Sequence, residues 1–131
     1  MSQYQSFSAC VVQGKHLGRT LGFPTANLDA TSTDLSRGVY AVWVRLESGD
    51  VKMGMMNVGR HPTLPDGPAT VEINLLDFNG DLYGQMIEVK PVSFLRGETR
   101  FDSLDALKAQ LTHDRETVRR LLNKDETASN D

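Results

Sequence analysis

Val39-Tyr40-Ala41-Val42-Trp43-Val44-Arg45-Leu46, opened by Gly38, is the stretch on which the fold turns. β-Branched and aromatic residues fill it, and such side chains suit a pleated, half-buried surface. Ser48-Gly49 follows as a turn, and Val51 to Val58 reads as the returning strand, with Met53, Met55 and Met56 as adaptable core filler. Upstream, Phe7 to Val12 reads as a strand with Phe7, Ala9 and Val11 on one side. Downstream, Thr70 to Phe78 is a further strand. Asn79-Gly80 is the strongest short hairpin signal, and a partner strand from about Leu82 to Leu95 is expected, bulged near Pro91 because proline cannot donate in a ladder.

The rest of the chain is punctuation and one helical segment. Residues 1–6 are polar and read as frayed, while 14–27, 29–37 and 59–68 read as loops. After Arg100, Asp102 or Ser103 can cap a helix with Leu104, Leu107 and Leu111 on one face. Thr112 to Asp114 reads as a break, after which Val118, Leu121 and Leu122 resume the stripe. Residues 1–122 make one domain, and 123–131 form a polar tail without a core pattern. Short strands in series followed by a terminal helix predict an all-β fold. It is a small closed antiparallel barrel, Greek-key-like and about six-stranded, with a C-terminal helical cap.

Composition narrows the function. The 131 residues suffice for one core, and 39% hydrophobic with 24% charged residues is ordinary for a globular chain. A net charge of −3 argues against nucleic acid as partner. The single Cys10 excludes an internal disulfide framework and a cysteine-based zinc site. His16, His61 and His113 lack metal-ligand spacing. No secretory leader or membrane-spanning run is visible, so a cytoplasmic chain away from membranes is expected; a monomer is the separate expectation, and no residue pattern fixes it.

Gly14-Lys15-His16-Leu17-Gly18-Arg19-Thr20-Leu21-Gly22-Phe23-Pro24-Thr25-Ala26-Asn27 is the candidate phosphate loop. Its glycines, Gly14, Gly18 and Gly22, allow backbone N–H groups to approach an anion, and Lys15 and Arg19 supply charge. The Walker pattern fails, since Gly14 and Gly18 enclose three residues and arginine stands in place of lysine. Pro24 favours extended backbone, on which Thr25 and Asn27 point the same way and offer two hard oxygens, a set suited to Mg²⁺.

Glu72 is the candidate general base. It shares a strand face with Thr70, Asn74 and Leu76, opposite Val71, Ile73 and Leu75. The plainer reading is a solvated strand glutamate; the functional one places a base inside or at the mouth of the barrel. Arg96 can stack on a flat ring system, or else pair with Glu98 at the surface.

Gly14, Gly18-Arg19, Leu21-Gly22-Phe23 and Pro24-Thr25-Ala26-Asn27-Leu28 together resemble the signature of the riboflavin kinases (flavokinases). Thr70 to Phe78 followed by Gly80-Asp81-Leu82-Tyr83-Gly84, Asn57-Val58-Gly59 with Pro62-Thr63, and Phe94-Leu95-Arg96 with Glu98, Phe101 and Ser103-Leu104 resemble that family too, in order from about Val11 to Leu122. The resemblance implies ATP and Mg²⁺ served by Thr25 and Asn27, nucleotide binding by the 14–27 loop, and Glu72 as the catalytic base. It implies flavin contacts by Leu95, Arg96, Glu98 and Phe101. The reaction implied is phosphorylation of riboflavin to FMN with release of ADP. Ala9 departs from the family, which usually has glycine there. Bacterial members are often fused behind an adenylyltransferase domain that makes FAD. Two other readings are a flavin- or nucleotide-binding module without catalysis, and an oligonucleotide-binding OB-type barrel. Against the first, binding alone needs no base; against the second stand the acidic balance and the lack of paired aromatics on basic strands.

Overall fold

A computed structural model describes residues 4–12, 25–29, 35–59, 70–78 and 80–124. Six strands, β1 (Phe7–Val12), β2 (Thr25–Leu28), β3 (Gly38–Arg45), β4 (Val51–Gly59), β5 (Thr70–Leu75) and β6 (Met86–Arg96), precede one long helix, α1 (Leu104–Lys124). The strands close into a barrel in the order β1-β2-β5-β4-β3-β6, all described pairs antiparallel. Closure leaves no free edge in a short sheet.

Alternation decides what fills the barrel. Tyr40, Val42 and Val44 of β3, Val71, Ile73 and Leu75 of β5, and Ile87 and Val89 of β6 meet in the interior cluster. Burying each valine or isoleucine stabilises by roughly 1.5–3 kcal/mol, and a one-residue slip would turn the set outward, so the register is firmly held. The methyl group of Ala9 belongs to this interior, at 4% exposure. β3 is buried on its other face as well. Ala41 and Trp43 pack there with Met55 against Val118 and Leu122 of α1, which is why β3 reads as a nearly unbroken apolar run.

β6 carries two irregularities against β3. Val42 pairs with Pro91 but Ala41 with Ser93, and Tyr40 pairs with Phe94 but Val39 with Arg96, leaving Val92 and Leu95 as extra residues. The bulge expected near Pro91 is therefore present, with a second beside it. Without them the register of Trp43 and Lys90 would carry Arg96 beyond the start of β3; with them Arg96 stops opposite Val39. Gly38 makes room for this crossing. Its φ is 151°, and a Cβ there would lie 2.5 Å from both the Arg96 carbonyl oxygen and the Phe94 ring.

Several expectations are corrected. Thr25 to Asn27 belong to β2 rather than to a loop, because all three pair with β5 and Asn27 pairs with β1 as well. β5 ends at Leu75, and Asp77 turns the chain with φ 55°. Gly80 lies between strands that do not pair: β5 lies between β2 and β4, while β6 lies between β3 and β1. β6 starts at Met86 instead of Leu82. α1 is continuous through Thr112–Asp114, and it reaches Lys124. Ser103 caps it, accepting from Ala106 N–H at 3.1 Å.

Candidate active-site cleft

One line of cross-strand partners organises the outer face of the barrel. Asn27 on β2 stands opposite Glu72 on β5, Glu72 opposite Asn57 on β4, Asn57 opposite Val39 on β3, and Val39 opposite Arg96 on β6. Directly opposed residues of antiparallel strands share a face, so all five side chains leave the barrel together. The neighbouring line runs Thr25, Asn74, Met55 and Ala41. With strands about 4.8 Å apart, Glu72 and Arg96 are roughly 14 Å apart along the sheet, with Asn57 between them.

These lines floor a cleft of about 330 Å³, within the usual range for small-molecule sites. Thr25, Asn57, Glu72, Asn74, Arg96, Glu98, Thr99 and Phe101 line it, and Leu107, Leu111 and Asp114 of α1 form its far wall. Glu72 thus lies in the cleft between the barrel and the helix. It is outside the barrel rather than inside it or at its mouth, because Val71 and Ile73 take the interior positions. Glu98 reaches toward β4, with an oxygen 3.4 Å from where a Gly59 Cβ would stand and the Asn57 amide nitrogen 3.6 Å from the same point.

Arg96 does not make its close ion pair with Glu98. It meets Asp114 of α1, donating from Nη2 to Oδ2 at 2.8 Å and from Nε to both carboxylate oxygens at 3.2 Å. Its guanidinium carbon also lies 5.9 Å from the centre of the Phe101 ring, at the margin of a cation–π contact.

Of the residues singled out from the sequence, Thr25, Glu72, Arg96, Glu98 and Phe101 line this cleft together. Asn27 and Leu95 are not among the lining residues: Asn27 stands opposite Glu72 on the same face, and Leu95 is the bulged residue beside Arg96. Gly14, Lys15, Gly18, Arg19 and Gly22 lie outside the described residues, as do Pro62-Thr63 and, Gly59 excepted, the two loops 14–20 and 59–68. Asp114 and Asn74 were not singled out. Asp114 left a signal all the same: a carboxylate in register with Leu107, Leu111, Val118 and Leu122 interrupts an apolar stripe, and such a group needs a tertiary partner. Asn74 shares the Glu72 face and is 6% exposed.

The donor set near Glu72 is oxygen-rich and hard. Thr25 and Asn27 offer neutral oxygens beside one carboxylate, and among the described residues no three His, Cys, Asp or Glu side chains form a metal cage. Also among the described residues, no helix is long and apolar enough to cross a membrane.

A family model described as flavokinase, riboflavin kinase, matches residues 1–122. The bifunctional riboflavin kinase/FMN adenylyltransferase of Haemophilus influenzae is 43% identical over 114 residues, covering 86% of this chain and 37% of that protein. A Bacillus subtilis protein named RNA-binding riboflavin kinase is 46% identical over 105 residues, covering 79% of this chain and 45% of that one. The chain therefore spans less than half the length of either relative. Riboflavin kinase from Trypanosoma brucei superposes with a TM-score of 0.65 at 23% identity, over 95% of this chain and 81% of that one, a likeness of fold.

Proposed function

The chain belongs to the riboflavin kinase family, and from that premise we propose that it transfers the γ-phosphate of ATP to the 5′-hydroxyl of riboflavin, giving FMN and ADP. The observation that carries this reading is the line Asn27–Glu72–Asn57–Val39–Arg96 across one face of the barrel. It sets oxygen donors and a carboxylate at one end and a planar cation with an aromatic neighbour at the other. A substrate with a flat ring at one end and a primary alcohol on an extended chain at the other has the matching layout.

In the proposed reaction the flavin ring lies toward Arg96 and Phe101, near Leu95 and Glu98, and its side chain runs along the floor toward Glu72. Glu72 accepts the proton of the 5′-hydroxyl as that oxygen bonds to the γ-phosphorus and the bond to the ADP oxygen breaks. Thr25 and Asn27 would hold Mg²⁺, which prefers few protein ligands together with waters and substrate phosphates. Bound there, Mg²⁺ would supply neutralisation of charge on the β- and γ-phosphates. Gly14, Lys15, Gly18, Arg19 and Gly22 complete the proposal as the nucleotide loop, and loops 14–20 and 59–68 as lids that keep water from competing. A cytoplasmic, monomeric enzyme without nucleic-acid or membrane partners belongs to the same reading.

The test is incubation of the purified chain with riboflavin and MgATP, followed by chromatography. Stoichiometric FMN and ADP are expected. ADP without FMN, or flavin binding without turnover, would overturn the proposal.

A further inference from the structure

Asp114 stands mid-way along the inward stripe of α1 at 3% exposure, flanked by Leu111 and Val118. A carboxylate buried among apolar groups is costly unless its oxygens are satisfied. Here they are satisfied from two elements. Arg96 of β6 reaches it with Nε and Nη2, and Gln110, one turn earlier on α1, donates to Oδ1 at 2.9 Å. The remaining Arg96 nitrogen, Nη1, donates to the Gly97 carbonyl at 3.2 Å. All three guanidinium nitrogens are thereby committed to fixed acceptors. The exposures differ across the pair: the Asp114 side chain is 4% exposed and that of Arg96 22%. Both side chains border the cleft, and the guanidinium keeps the larger exposed surface there.

This pair is not alone in holding the helix down. Trp43, Met55, Leu76, Val118 and Leu122 already dock α1 on the barrel through apolar contact. What the pair adds is orientation. An arginine side chain is long and freely rotating, and a bidentate carboxylate in the guanidinium plane fixes where its faces point. A platform ordered before binding spares the ligand the cost of ordering it.

We propose that Asp114, backed by Gln110, is a positioning residue that presets the Arg96 guanidinium as a flat, charged platform for the aromatic ring system of the substrate. The inference rests on the reaction proposed above and assigns to the helix a part in recognising the flavin.

The test uses the intact chain and compares parent, Asp114→Asn, Asp114→Glu, Gln110→Met and Arg96→Lys. Riboflavin Kd is read by quenching of flavin fluorescence, KM for riboflavin and for MgATP by turnover, and folding by thermal melting. Asp114→Asn is expected to raise flavin Kd and KM roughly ten-fold, as a charge-assisted bidentate contact is lost, with KM for MgATP within about two-fold of parent. Asp114→Glu should restore part of the affinity. Arg96→Lys keeps the charge but not the plane, so it should match Asp114→Asn, and a double variant combining Asp114→Asn with Arg96→Lys should add little. Parent flavin Kd in Asp114→Asn, or a loss shared equally by MgATP, would overturn the inference whatever happens to melting. Should Asp114→Asn fail to fold, Gln110→Met decides: a few-fold weaker flavin binding supports the inference and unchanged binding overturns it. A parent that makes no FMN overturns the reaction itself and this inference with it, a result visible before any variant is compared.

Discussion

Glu72 and Asn27 stand directly opposite one another on β5 and β2, both facing out of the barrel. Opposed positions of this kind hold their Cβ atoms roughly 4.5–5.5 Å apart. The backbone ladder, rather than any loop, therefore fixes the distance between a carboxylate and an amide oxygen. Apolar packing of Val71 and Ile73 beneath them keeps that register.

Thr25→Ala and Asn27→Ala follow directly. Both side chains lie on the outer face, so their loss should leave melting close to parent. Under the proposed roles, turnover should fall sharply when Mg²⁺ is limiting, with partial recovery as Mg²⁺ is raised. A Mg²⁺ titration of FMN formation measures this. Parent-like curves for both variants would remove these residues from the metal site.

Gly38→Ala probes the crossing of β3 and the bulged end of β6. The added methyl would meet the Arg96 carbonyl and the Phe94 ring at 2.5 Å, at a φ that side chains rarely adopt. Strain of this kind costs on the order of 1–3 kcal/mol. Because the clash falls on Arg96 itself, flavin affinity should fall along with stability. Gly97→Ala is the matched control, since a methyl there meets nothing within 4 Å. Equal melting temperatures for the two variants would show that the crossing can relax.

Much of this architecture can be read from local pattern, and its failures have physical reasons. β3 is legible as a nearly unbroken apolar run because both its faces are covered, and Pro91 announces its bulge by lacking an N–H. The outward direction of Glu72 follows from Val71 and Ile73. Asn79-Gly80 misleads because turn chemistry records a change of direction and not which strand will be the neighbour; here β4 and β2 take the places beside β5. β2 is four residues long inside a segment rich in glycine and proline, so its strand character comes from partners on both sides. Thr112 to Asp114 resembles a helix break by propensity, but Thr112 bonds back to the Lys108 carbonyl at 2.9 Å and Asp114 gains Arg96.

Acid should weaken one exposed tie between barrel and helix. Arg119 of α1 donates two hydrogen bonds to Asp77, at 2.5 and 2.7 Å. Those bonds, with the nearby charges of Arg119, Arg115 and Lys52, hold the Asp77 carboxyl below its ordinary 3.8. A carboxyl lowered by folding stabilises the fold above its unfolded pKa, and the contribution is lost as pH falls through the folded value. The melting temperatures of parent and Arg119→Gln should therefore differ near neutrality and converge well below pH 3.8. High salt should narrow the gap, since the pair is exposed. A gap unchanged by acid would mean that Arg119 acts through packing.

Glu72→Gln bears on the proposed chemistry most directly. The amide keeps the length and shape of the side chain, and it can still hydrogen-bond a hydroxyl, but it cannot take a proton at neutral pH. General-base catalysis contributes typically about 10²–10⁴-fold, so kcat should drop by that order. Phosphoryl transfer passes through a loose transition state in which the nucleophile's proton leaves late, which favours the lower end. Riboflavin Kd should change little, because Arg96 and Phe101 at the far end of the row are untouched. A glutamate serving only as a solvated strand residue would give parent kcat and a stability within about 0.5 kcal/mol of parent. Measuring kcat and flavin Kd on this one variant separates the cases. A fall in kcat at constant Kd is expected; a rise in Kd with parent kcat would make Glu72 a binding group and leave the proposed transfer without its base.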